Sequence, residues 1–153
     1  MKDKYKALQE DVSDEERAIE ETLERLRKVR SGFDTQKKDY TTEPAMGTYL
    51  MNFYNGVENI LKRISKVYYS NMPRGESWHK ELLVLSFNPP EGKVALLTQD
   101  IVERLHPYRS FRHRFVSGYG FQLKGEKMLE LTDNIESLWS DIKKAISDFW
   151  DKI

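Results

Sequence analysis

The sequence predicts an all-α, mostly antiparallel bundle of about five helices. Three observations point there. Apolar residues recur at helical spacing along most of the chain, no stretch shows the two-residue alternation of a strand, and Gly- and Pro-bearing breaks separate the periodic runs. Residues 3–30 place Tyr5, Val12, Ile19 and Leu26 seven apart, with Leu8, Leu23 and Val29 beside them. That narrow stripe predicts one long helix with a coiled-coil-like seam, paired within the domain or across a dimer. The Ser13–Glu16 stretch has capping-box spacing, so this helix starts there or runs through from further back. The stretch 31–47 reads as a loop.

Residues 49–69 give the clearest helix: Leu50, Phe53, Tyr54, Val57, Ile60, Leu61, Ile64, Val67 and Tyr68 follow the i, i+3, i+4, i+7 pattern. Ser77 can cap a short helix carrying Trp78, Leu82, Leu83 and Leu85. Pro107 suits a first-turn position better than a helix interior, so 98–106 and 107–121 read as two helical pieces. Met128, Leu131, Ile135, Leu138, Ile142, Ile146 and Phe149 stripe a last helix of about six turns. The whole is read as a single domain over 1–153: the long N-terminal helix at about 3–30 and a core bundle at about 47–153.

Composition narrows the function. With 39% hydrophobic and 33% charged residues, the chain is too apolar for disorder and too polar for a membrane protein. No apolar run approaches the ~20 residues of a membrane span, and the first 16 residues hold no apolar signal core. A cytoplasmic location is therefore expected, which the lack of cysteine fits. Equal numbers of basic and acidic residues, 25 each, argue against coating nucleic acid by bulk charge, so any polyanion site must be local.

One stretch is locally basic. From Arg104 to Gly125 there are four Arg, one Lys and two His, and no carboxylate. Arg109 and His113 form an i, i+4 pair, and Arg112 and Tyr119 an i, i+7 pair nearby. Arginine clamps a phosphodiester and histidine moves protons near neutral pH, the minimum for metal-independent RNA cleavage. A basic, solvated helix face with Phe111 and Phe115 turned inward is the plainer reading of the same spacing. His79, His106 and His113 supply no zinc-ligand pattern and no phosphate-binding glycine loop occurs, so neither metal nor cofactor is expected.

The segments "FYNGVENILKRI" (53–64), "GESWHKELL" (75–83) and "FRHRFVSGYGFQL" (111–123) resemble, in order and spacing, the HepT-like toxin branch of the HEPN superfamily. The resemblance runs from about Gly47 to the C-terminus. It implies a helical domain that dimerises, so that motif helices of two subunits line a cleft. It further implies a metal-independent ribonuclease toxin paired with a minimal nucleotidyltransferase antitoxin, which in some members adenylylates the motif tyrosine. The family motif is Arg, four residues, His, one residue, Tyr. Arg112 and Tyr119 match it; Ser117 stands where the histidine belongs.

By that resemblance Arg112 holds the scissile phosphate, Arg109 and Arg114 attract RNA, and Tyr119 contacts RNA or accepts a nucleotidyl group. Glu58 would orient the motif arginine, with Asn55 as a second support, or else be a solvated position. Serine is no base near neutral pH without an activating partner, so Ser117 impairs catalysis. It marks a degenerate toxin or an introduced change, or His113 takes over the proton transfer. Two other readings stand beside the ribonuclease. One is a non-catalytic module that binds RNA or the nucleotidyltransferase. The other is an oligomerisation protein built on the N-terminal heptads.

Overall fold

The seam of the first helix is covered inside the chain. The computed structural model describes residues 3–34, 41–117 and 125–153, and among them the protein is helical with no strand. A 3-10 turn, Asp3–Tyr5, leads into α1, Lys6–Ser31, so the helix runs straight through the Ser13 capping signal. Its stripe of Leu8, Val12, Ile19, Leu23 and Leu26 is buried against α2, Thr42–Ile64. Arg63 near the end of α2 meets Asp11 and Glu15 near the start of α1, both at 3.4 Å, so the two helices run antiparallel.

The helices pack tightly at Gly56, where an added Cβ would lie 2.5 Å from Cγ1 of Ile19. The partly expected loop before α2 is shorter than its composition suggests, because α2 begins at Thr42 rather than near Tyr49. Pro44 is no obstacle there, since first-turn amides have no intrahelical acceptor.

α2 ends in a π turn, Ser65–Tyr69, and a left-handed Ser70 at φ 54°. The wide turn lets adjacent Tyr68 and Tyr69 both point inward. Their hydroxyls then tie down the chain around Val94: Val94 N donates to Tyr68 at 3.0 Å, and Tyr69 donates to the Val94 carbonyl at 2.8 Å. α3 spans Trp78–Phe87; Ser77 occupies its cap position, but its side chain makes no capping bond.

α4 is one helix, Gln99–Val116, with Pro107 inside it, where the sequence suggested two pieces. Glu103, whose carbonyl loses the Pro107 amide, and Pro107 itself are exposed, so water can replace the lost bond. Buried Ile101, Val102, Leu105, Tyr108 and Phe111 on both sides of the proline keep the helix continuous. Thr98 caps it, accepting from Ile101 N at 3.2 Å.

α5, Gly125–Lys152, runs antiparallel to α1 and α4. Arg27 meets Glu136 at 2.7 Å, Arg30 meets Asp133 at 3.1 Å, and Lys143 meets Glu20 at 2.8 Å. Arg104 meets Asp141 at 2.6 Å, while Tyr108 donates to the Leu131 carbonyl at 2.6 Å. One continuous core, from Tyr5 to Trp150, draws on all five helices. No described helix is long and apolar enough to cross a membrane.

Gly56→Ala is expected to destabilise the protein. Overpacking against the stiff, β-branched Ile19 costs about 1–3 kcal/mol, only partly offset by the better helix propensity of alanine. In an Ile19→Ala background the same change should turn neutral or stabilising. Urea unfolding of the four proteins reads both signs.

Candidate functional site

The polar side of the bundle begins on α2. Successive turns of this helix present Asn55, Glu58 and Lys62, while its other faces are filled by Leu50, Phe53, Val57, Ile60 and Ile64. Asn55 Oδ1 accepts a hydrogen bond from Nε of Arg112, on the last turns of α4. Glu58, 3% exposed, takes a hydrogen bond from Nδ1 of His79 at 2.7 Å and has Lys62 at 3.9 Å. The carboxylate thus pairs with His79 of α3 and does not orient the motif arginine. It is also no solvated surface position. Arg112 is supported by the neutral Asn55 instead.

Trp78 is half-buried, its ring 3.5 Å from that of His79, and the Lys62 ammonium lies 4.6 Å from the Trp78 ring centre. The Tyr54 hydroxyl, buried one residue before Asn55, has no hydrogen-bond partner among the described residues. Burial pushes its ionisation up, Glu58 adds to that, and Arg109 and Arg112 pull the other way. Nε of Arg109 is likewise buried without a partner among the described residues. Tyr54, Glu58, His79, Arg109 and Arg112 therefore form one polar seam between α2, α3 and α4.

The basic residues of α4 divide into two groups. Arg104 is neutralised by Asp141 at 2.6 Å and Asp100 at 3.6 Å. Among the described residues no carboxylate pairs with Arg109, Arg112, His113 or Arg114. Cations in a last helical turn are favoured by the helix dipole, which accounts for some of that clustering.

The helix also separates them by face. Arg112 faces α2, whereas Arg114 lines a groove of about 410 Å³ between α4 and α5, with Ser110, Lys127 and Asn134 above a floor of Tyr108, Leu131 and Leu138. His113 is exposed. Ser117 ends the helix, and its hydroxyl donates to the His113 carbonyl at 2.8 Å. A regular helix to Val116 leaves Arg112 and Ser117 about 140° apart around the axis, so one chain does not present them together. Tyr119 lies outside the described residues.

The profile of the family described as HepT-like protein matches residues 45–153. The chain belongs to the HepT-like family. No curated protein and no solved structure matches it. In this HepT-like bundle the matched region takes in α2 to α5 and so the whole polar seam, while α1 precedes it.

The resemblance singled out Arg112, Asn55 and Glu58, but neither it nor the spacing pointed to Tyr54 or to the Glu58–His79 pair. Tyr54 reads as one more apolar-stripe residue. Only the position of Glu58, just off that stripe, signalled that a buried partner was needed.

Tyr54→Phe removes a buried hydroxyl that has no partner. It should raise stability by about 1 kcal/mol, read from the midpoint of urea unfolding. A loss of stability would mean that the hydroxyl is satisfied in solution.

Proposed function

We propose that this HepT-like protein is a HEPN-type toxin that binds RNA and cleaves it slowly without metal. One observation carries the reading. Arg112, the motif arginine, is positioned by a neutral amide rather than an acid, so its full charge is available to a phosphodiester. Arg104, on the same helix, is tied to two carboxylates and serves packing. The amide fixes one nitrogen of the guanidinium and leaves both terminal nitrogens for an anion. Arg109 and Arg114 add attraction, and the cleft is taken to form between two copies of the chain. A minimal nucleotidyltransferase is the proposed antitoxin, with Tyr119 as the residue it modifies. The proposed location is the cytoplasm.

Ser117 favours a second reading, a module that binds RNA or its nucleotidyltransferase without cutting. Its hydroxyl is turned to a backbone carbonyl, and no base activates it among the described residues.

Incubating the protein and its Ser117→His variant with RNA in EDTA separates the two. Slow cleavage that Ser117→His speeds by about 10²–10⁴ supports the toxin. Binding with no cleavage by either supports the module.

Arg112→Ala should weaken RNA binding about ten- to hundredfold, as expected for one charge-assisted contact. The slope of log affinity against log salt should also become shallower by about 0.7. Fluorescence anisotropy with a labelled single strand measures both. Binding that ignores salt and survives Arg112→Ala rules out the assignment.

A further inference from the structure

Asn55 and Glu58 are one turn apart on the same face of α2, with ~5–6 Å between their Cβ atoms. Each holds a residue from a different helix: Asn55 holds Arg112 of α4, and Glu58 holds His79 of α3. Two adjacent turns of a single helix therefore hold a guanidinium and an imidazole. Glu58, Arg109 and Arg112 all act on the buried, unpartnered hydroxyl of Tyr54, the residue next to Asn55 in α2.

The pairing decides what His79 can do. A carboxylate only accepts hydrogen bonds, so toward Glu58 the Nδ1 of His79 is the donor, and in the neutral tautomer that fits this contact the lone pair is on Nε2. Glu58 is buried, while the His79 side chain is 30% exposed, so the ring is anchored from the core and open on part of its surface. Trp78, its ring tilted 31° against the imidazole, and Lys62 over Trp78 crowd the ring and restrict its rotation. Glu58 faces it from α2, with Lys62 3.9 Å from that carboxylate, while Arg109 and Arg112 of α4 act on Tyr54. His113, by contrast, is exposed and has no side-chain partner among the described residues to set its tautomer.

We propose that His79, held by Glu58, is the general base for RNA cleavage by this chain, in place of the histidine missing at position 117. The proposal rests on the reading of the site as an RNA site. Nε2 of His79 takes the proton of a ribose 2′-hydroxyl. The 2′-oxygen forms a bond to phosphorus and the bond from phosphorus to the 5′-oxygen breaks. The leaving 5′-oxygen takes a proton from water. Arg112 stabilises the charge that gathers on the phosphoryl oxygens. The products are a 2′,3′-cyclic phosphate and a 5′-hydroxyl end. Glu58 is a positioning residue, since it acts only through His79.

The test measures binding and cleavage of a labelled RNA in EDTA for the protein, His79→Gln and His79→Ala, with thermal unfolding as a check on folding. Glutamine keeps a donor for Glu58, so this variant stays informative if alanine weakens the fold. The expected result is binding within about twofold of the parent, cleavage reduced by about 10²–10⁴, and partial recovery of His79→Ala in added imidazole. Unaltered cleavage by His79→Gln overturns the proposal, as does a parent protein that leaves bound RNA intact. Failure of imidazole to revive a folded His79→Ala overturns it too. These outcomes leave RNA binding standing. If the parent binds RNA no better than Arg112→Ala does, the underlying RNA reading fails first.

Discussion

A carboxylate inside an apolar core imposes conditions on everything around it. Glu58 sits on the most enclosed helix of this bundle, and an unpaired charge there would be heavily penalised. It is tolerated because α3 brings His79 into hydrogen-bond contact and Lys62 stands one turn away on α2. The lateral placement of α3 is thus tied to an electrostatic need as well as to Leu82, Leu83 and Leu85 in the core. The same face of α2 carries Asn55, so the demand that places α3 also lies beside the contact that orients the end of α4.

α4 shows how one helix can carry both structural and unassigned charge. Its first half is locked to α5 through Arg104 and Asp141, and Tyr108 adds a bond to the Leu131 carbonyl. Its last turns hold cations that no carboxylate among the described residues neutralises. A basic sequence alone does not distinguish these two kinds of arginine. What distinguishes them is the chemistry of the partner: two acids for Arg104 and an amide for Arg112.

The helical stripes were plain in the sequence because each is a local, repeated signal. Burial of Tyr5, Val12, Ile19 and Leu26 follows directly from their seven-residue spacing. Helix ends were less plain. The start of α2 at Thr42 and the continuity of α4 through Pro107 depend on exposure and on tertiary packing, which override local propensity. In the site, motif spacing was enough to single out Arg112 and the serine at 117. The pairing of Glu58 with His79 was hidden, since it joins residues 21 apart in different helices and follows from the packing of α3. Family resemblance assigned Glu58 to the arginine, and the observed geometry assigns it to the histidine.

Gathering two side chains on one α-helix has a consequence for tolerance to change. The spacing between the arginine and the histidine is set by the pitch of α2, a fixed length of the polypeptide, as on a ruler. The connection at 88–98 is itself anchored at Val94 by Tyr68 and Tyr69, but the one at 70–77 only delivers α3 to a mark already on that ruler. Loop insertions and deletions there can vary the outline of the protein while the distance across its polar seam stays the same.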